Sequence, residues 1–119
     1  MSRADWCCYK GDGNALWHSP AYPEERWLAD WRFMARRYRN QSSVIGADLR
    51  NEMRFGATRG GKNPALDWQA AAERGGNAVL TENSNLLIFI EDIDYALDLR
   101  AAASLPVKLN APNWFVYCA

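Results

Sequence analysis

Two patterns of apolar positions run along the chain, one with helical spacing and one made of short continuous runs. Trp27, Trp31 and Met34 recur at steps of four and three residues, which places them on one face of a helix. Pro23 precedes the pattern, and proline suits the first position of a helix. We therefore predict an amphipathic helix over residues 24–39.

A second helix is predicted over residues 64–82. Asn63-Pro64 supplies a capping residue followed by a proline, which is a helix start signal. Gly75-Gly76 lies in the middle of this segment, and a glycine inside a helix costs about 1 kcal/mol relative to alanine. A shorter helical piece is predicted near residues 95–104.

Three short apolar runs predict β-strands, at residues 44–49, 86–90 and 114–118, and residues 107–109 predict a brief extended stretch. The middle run, LLIFI, is continuously apolar, which is typical of a strand buried on both faces of a parallel sheet. Helices and strands alternate along the chain, and this order favours parallel β/α units, an α/β fold.

Two predicted strands end in acidic sequences, Asn51-Glu52 and Glu91-Asp92. In a barrel of parallel β/α units, the carboxyl ends of the strands form the face that carries the chemistry. A full barrel needs about 250 residues, whereas this chain has 119 and finishes on an apolar run. We therefore expect a single partial domain over residues 1–119, a fragment of a barrel.

The balance of charge argues against a nucleic-acid partner, because 14 basic and 14 acidic side chains give a net charge of zero. No run approaches the ~20 apolar residues of a membrane span, so no membrane association is expected. The N-terminus, MSRADWCC, lacks the apolar core of a signal peptide. Compartment and oligomeric state stay open.

Neither a metal nor an organic cofactor is expected. The three cysteines, Cys7, Cys8 and Cys118, and the single histidine, His18, have no zinc-ligand spacing. The sequence leaves the disulfide state of the cysteines open, and it predicts His18 in a surface loop.

The chain contains six tryptophans, and indole rings either stack on sugar faces or fill cores. Trp27 and Trp31 lie on the periodic helix face, which favours the core. Trp6 and Trp17 lie in the N-terminal loop, where lining a sugar cleft and packing inside the fold are equally open alternatives.

Several segments resemble glycoside hydrolase family 5, the cellulase family, and especially its plant- and oomycete-like endoglucanase branch. These segments are DWCC (5–8), GDGN (11–14), LW (16–17), WLADW (27–31), GADLRNE (46–52) and LLIFIE (86–91). The resemblance covers nearly the whole chain. It implies the middle of a (β/α)8 TIM barrel, about strands 4–6 with the intervening helices.

The resemblance implies that Glu52 is the general acid/base and that Asn51 binds the sugar hydroxyl beside the scissile bond. The family usually has proline after this glutamate, and Met53 stands here. Its nucleophile is a second glutamate at the end of the seventh strand, expected beyond Ala119. Retaining hydrolysis needs two carboxyl groups about 5–5.5 Å apart, so we expect the isolated chain to be inactive.

Three further charged residues have alternative assignments on sequence alone. Glu91 also ends a strand, and a structural or rim role is favoured over a catalytic one. Arg50 and Arg54 either brace the site carboxylate or face water, and the sequence does not decide between these alternatives.

The leading interpretation is an endo-β-glucanase-like fragment that carries the acid/base half of a site for a β-glucan-like polysaccharide. One alternative is a non-catalytic sugar-binding remnant that uses Trp6, Trp17 and Asn51. The other is a truncated gene product without a stable fold.

Overall fold

The computed structural model describes residues 13–112 and 114–119. Predictions for Trp6, Cys7 and Cys8 therefore lie outside the described residues. The described elements are α1 (Glu24–Arg37), β1 (Gly46–Asp48), α2 (Trp68–Glu82), β2 (Leu87–Glu91), a 3-10 turn (Arg100–Ala102) and β3 (Phe115–Cys118). None of the helices in this part of the chain is long and apolar enough to cross a membrane.

The three strands form one parallel sheet in the order β1-β2-β3. Both helices pack against each other and cover one face of this sheet. The indole N–H of Trp31 in α1 donates to the main-chain oxygen of Leu49 at 3.3 Å, and Ile88 of β2 lies against α2. The predicted parallel β/α arrangement is confirmed.

Helix α1 follows the predicted periodicity closely. Its buried residues include Trp27 and Trp31, which line the face predicted from their spacing. Acidic residues occupy the first turn and basic residues the last turn, and both placements complement the helix dipole. The helix ends at Arg37, two residues before the predicted end, since Tyr38 leaves helical geometry.

Helix α2 begins at Trp68 and not at residue 64, so the predicted start is wrong. Asn63 instead closes a turn, in which its side-chain oxygen accepts from the Ala65 main-chain N–H at 3.0 Å. The true cap is Asp67, whose carboxylate accepts from the Ala70 N–H, an arrangement that satisfies a free donor of the first helical turn.

Gly75 is explained by the close approach of a tryptophan ring. A Cβ atom at this position would lie 2.4 Å from the ring of Trp27, so only glycine allows α1 and α2 to pack at this distance. The helix therefore accepts a residue of low helix propensity because the packing of the two helices requires it.

Strand β2 is not buried evenly on both faces, contrary to the prediction. Ile88 and Ile90 are 0% exposed on the helix-covered face, whereas Leu87, Phe89 and Glu91 are half-buried on the other face. Burial therefore alternates along this continuously apolar strand, and Glu91 lies on the more accessible face.

The region after β2 contains less regular structure than predicted. Only residues 100–102 of the predicted 95–104 helix are helical, in a 3-10 turn. Asp94, Tyr95 and Ala96 have left-handed φ angles of 57°, 60° and 64°, which an α-helix cannot contain. Residues 107–109, all described, are not assigned to a strand.

Candidate functional site

The strand register brings three reactive side chains to one face at the carboxyl end of the sheet. Asp48 pairs with Phe89, and Glu91 pairs with Cys118. Paired residues point to the same face, and so do residues two apart on one strand. Asp48, Glu91 and Cys118 consequently share the face that the helices leave uncovered.

The segment after β1, residues 49–54, carries the predicted acid and is called the strand-end loop here. Glu52 has a φ of 51°, a left-handed conformation that costs a non-glycine residue about 1–2 kcal/mol. Its main-chain N–H donates to Oε2 of Glu91 at 2.7 Å. Two predicted strand ends, Asn51-Glu52 and Glu91, are therefore in direct contact.

Two buried arginines brace the main chain of the strand-end loop. Arg50 and Arg54 are each 3% exposed, so neither faces water. Arg50 donates to the main-chain oxygens of Asn51 at 2.7 Å, Leu16 at 3.2 Å and Asn14. Arg54 donates to the main-chain oxygen of Glu52 at 2.9 Å.

A further contact fixes the loop from the segment that follows β2. The main-chain N–H of Tyr95 donates to the main-chain oxygen of Met53 at 3.0 Å, and the Arg54 guanidinium lies 5.6 Å from the centre of the Tyr95 ring. Met53 itself is 0% exposed. Met53, the residue after Glu52, is therefore part of the core.

Burial and neighbouring charge raise the pKa of two groups at this face. Burial raises the pKa of Glu91, and the nearby Asp48 and Glu52 carboxylates raise it further, while the hydrogen bond from the Glu52 N–H acts in the opposite direction. Burial also raises the pKa of the Cys118 thiol, with Asp48 and Glu91 adding to the shift. A thiol whose pKa is raised stays protonated and is a poor nucleophile.

Asp92, the residue after Glu91, lies in a different environment. Its carboxylate forms an ion pair with Arg59 at 2.8 Å, and the two side chains are 0% and 1% exposed. Arg59 also donates to the Tyr117 hydroxyl at 2.7 Å and to the main-chain oxygen of Leu105 at 3.0 Å. This buried ion pair ties β2 and β3 to the loop before α2.

The remaining predicted site residues have separate locations. Asn51 is exposed beside Glu52. Trp17 is 1% exposed, packs against Trp68 at 5.6 Å between ring centres, and donates its indole N–H to Glu24 at 2.6 Å. This placement favours packing and gives Trp17 no ring face for a sugar.

His18 lies in a loop, as predicted, and its ring nitrogen Nε2 is 2.8 Å from the main-chain oxygen of Ala65. The predicted platform residue Trp6 lies outside the described part of the chain. Among the residues predicted to bind sugar, Asn51 is the one that is both described and accessible to solvent.

A groove formed by the described residues does not contain the carboxylates. It lies at the amino end of the sheet, where Ile45, Leu87 and Trp114 line it. In a β/α barrel the chemistry belongs to the opposite end, so we assign the site from its side chains and not from cavity size. Within residues 13–112 and 114–119, no group of His, Cys, Asp and Glu side chains is arranged to hold a metal ion.

Sequence reasoning missed Asp48 and Arg59 as parts of this region. Asp48 is one strand position before the apolar Leu49, and only the register with β2 shows that it faces Glu91. Arg59 lies in a glycine-rich loop 33 positions before Asp92, a separation at which sequence alone gives no pairing signal.

A family model, curated relatives and solved structures all match this chain. The family model "Cellulase (glycosyl hydrolase family 5)" matches residues 5–118. An endoglucanase of Paenibacillus polymyxa is 42% identical over 118 residues, which cover 90% of this chain and 30% of that protein. The chain therefore spans about a third of the length of this curated relative.

Solved structures agree in fold. The catalytic domain of the major endoglucanase of Xanthomonas campestris pv. campestris superposes with a TM-score of 0.83 at 37% identity, covering 87% of this chain and 33% of that one. An endocellulase of Pyrococcus horikoshii in complex with cellotetraose gives a TM-score of 0.81 at 32% identity, covering 87% and 35%. The prediction of a partial (β/α)8 barrel is confirmed, and the plant- and oomycete-like branch stays a prediction.

Proposed function

Because the chain belongs to the cellulase family, glycosyl hydrolase family 5, we propose that it carries the acid/base half of a retaining endo-β-glucanase site. Glu52 is the proposed general acid/base. The observation that supports this role most directly is its left-handed main chain, held by a hydrogen bond from its N–H to Glu91 and another from Arg54 to its carbonyl. Strained residues held by several contacts are typical of functional positions.

In the proposed reaction, Glu52 protonates the glycosidic oxygen as the bond to the leaving sugar breaks. It then removes a proton from the water that releases the second product, as retaining glycosidases require. Asn51, exposed beside it, is proposed to bind the sugar hydroxyl next to the scissile bond. The proposed substrate is a β-1,4-glucan, since the similar proteins are endoglucanases and one is described with cellotetraose.

We assign no nucleophilic role to Glu91. Its carboxylate already accepts the Glu52 N–H at 2.7 Å, so it is engaged in holding the main chain. The attacking carboxylate is proposed to come from outside these 119 residues, and the isolated chain is expected not to hydrolyse glucan. Turnover of a soluble glucan by the isolated chain, lost in Glu52→Gln, would contradict this part of the proposal.

A chimera tests the role of Glu52. Residues 5–118 replace the matching segment of the Paenibacillus polymyxa endoglucanase, and Glu52→Ala is compared with the unchanged chimera. Loss of a general acid costs about 10²–10⁴-fold in rate on soluble glucan. Much less should be lost in bond cleavage on an aryl β-cellobioside, because a good leaving group needs no proton.

Azide distinguishes the acid/base from other roles of Glu52. Azide needs no general base, so it should restore turnover of the aryl cellobioside by Glu52→Ala and yield the β-configured azide. Glu25→Gln, at an exposed position of α1, is the matched control and should leave both rates unchanged. Equal losses on both substrates, without azide rescue, would overturn the assignment.

A further inference from the structure

We propose that Glu91 is a positioning residue for Glu52, and that a proton bound to Glu91 controls how firmly Glu91 holds the Glu52 main chain. This inference rests on the proposed acid/base role of Glu52. It assigns a role to a carboxylate that neither attacks the sugar nor donates the reacting proton.

The first support is the geometry of the contact. Glu91 ends β2, and its Oε2 accepts the Glu52 main-chain N–H at 2.7 Å. This is a typical distance for a hydrogen bond from an N–H to a charged oxygen, which is about twice as strong as one between neutral groups. The bond holds Glu52 at a φ of 51°, a conformation that is unfavourable for residues other than glycine. Weakening this bond would therefore favour other conformations of the Glu52 main chain.

The second support is the neighbour of Glu91 on β1. The strand register places Asp48 beside Phe89, two residues before Glu91 on the same face. The Asp48 carboxylate adds to the rise that burial causes in the pKa of Glu91. Carboxylates that face one another disfavour the charged form of each, so Asp48 favours a proton on Glu91.

Three titratable groups lie around Glu91 at this face. Asp48 approaches from β1, Glu52 from the strand-end loop, and the Cys118 thiol from β3. Both carboxylates favour the protonated form of Glu91, consistent with its raised pKa. When a proton resides on Glu91, its bond to the Glu52 N–H loses the charge-assisted strength.

The test measures the Glu52 amide proton in the 119-residue chain by ¹⁵N-resolved NMR between about pH 3 and pH 8, starting from Glu52→Gln. That substitution removes the titration of the residue's own side chain and keeps the amide. The residue-52 amide signal should move as pH changes, with the same midpoint as the Glu91 carboxyl carbon. The midpoint should lie above the ordinary glutamate value of about 4.3.

Two further substitutions make the assignment specific. Glu91→Gln should abolish the pH-dependent movement of the residue-52 amide, and Asp48→Asn should lower its midpoint by removing the neighbouring charge. Glu82→Gln, at the far end of α2 in an ion pair with Arg36, should change neither. Since Asp48→Asn leaves the Glu91 contact in place, it remains informative even if Glu91→Gln does not fold.

The proposal is overturned if the amide keeps its pH dependence in Glu91→Gln, or if Asp48→Asn leaves the midpoint unmoved. Neither result depends on hydrolysis. Failure of the chimera assay with Glu52→Ala would instead remove the catalytic role of Glu52 and leave the amide measurement intact. The two hypotheses can therefore fail separately.

Discussion

Glu91 and Asp92 are adjacent acids at the end of β2, and they occupy opposite electrostatic environments. Asp92 is fully buried and forms an ion pair with Arg59. Glu91 is half-buried, faces the Asp48 and Glu52 carboxylates, and has a raised pKa. Consecutive side chains of a strand point to opposite faces, so a single step along the chain separates a compensated charge from a group of like charges.

This difference separates a structural role from a functional one. A buried ion pair satisfies its charges within the fold and needs no ligand. Like charges held together destabilise the fold unless they share a proton, and an arrangement of this kind is typical of functional sites. We infer that Asp92 stabilises the barrel segment, whereas Glu91 maintains the geometry around Glu52 at some cost in stability.

The largest expected effect is on the buried ion pair. Arg59→Met leaves Asp92 buried without a counter-charge, and breaking such a pair costs about 3–5 kcal/mol. Urea unfolding followed by circular dichroism at pH 7 should show this loss, or the absence of a cooperative transition.

Two variants control for this result. Arg36→Met removes an exposed partner of Glu82 and should change the unfolding midpoint far less. Arg59→Met combined with Asp92→Leu removes both charges and should recover part of the lost stability, since two apolar side chains need no compensation. If Arg59→Met lowered the free energy of unfolding by less than about 1 kcal/mol, the pair would behave like a surface ion pair. The proposed difference between Asp92 and Glu91 would then be wrong.

The second effect is the pH dependence of stability at Glu91. Its folded-state pKa lies above the ordinary value, so the folded chain binds this proton more tightly than the unfolded chain. Stability therefore falls as pH rises from about 4.3, the ordinary glutamate value, through the raised folded-state pKa. Glu91→Gln removes this fall, so its melting temperature relative to the unchanged chain should be higher at pH 7 than at pH 4.

A matched variant tests whether this behaviour is specific to Glu91. The Glu82 pKa is lowered, chiefly by its hydrogen bond with Arg36, and Glu82→Gln should shift the melting temperature in the opposite sense with pH. If Glu91→Gln gave the same difference at both pH values, the like-charge environment assigned to Glu91 would be wrong.

The sequence predicted the scaffold better than the details of the site. The spacing of Trp27 and Trp31 was sufficient to predict α1, because a helix depends on local periodicity. The meeting of Glu52 and Glu91 followed from a general property of parallel strands, whose carboxyl ends lie together. Both predictions rested on rules that need no knowledge of distant contacts.

The missed features depend on long-range packing. The start of α2 was misplaced because Asn63 forms a turn of its own, and the capping bond belongs to Asp67. The burial of Trp17 depends on its contact with Trp68 and could not be separated from a sugar-facing role by composition. The Arg59–Asp92 pair depends on the tertiary fold, since it joins a loop to a strand end 33 positions later.

The smallest expected effect belongs to a third acid, Asp98, which forms an ion pair with Arg100 at the surface. Its hydrogen bonds with the Arg100 side chain, and then with the Arg100 main chain, lower the pKa of Asp98 to about 2. The stabilisation is therefore present above the ordinary aspartate pKa and is lost as pH falls toward about 2. Because solvent screens an exposed pair, Asp98→Asn should lower the melting temperature only slightly at pH 7. This difference should shrink as pH falls toward about 2, where Asp98 becomes protonated. A loss at pH 7 as large as that of Arg59→Met would mean that burial is not what distinguishes the acids of this segment.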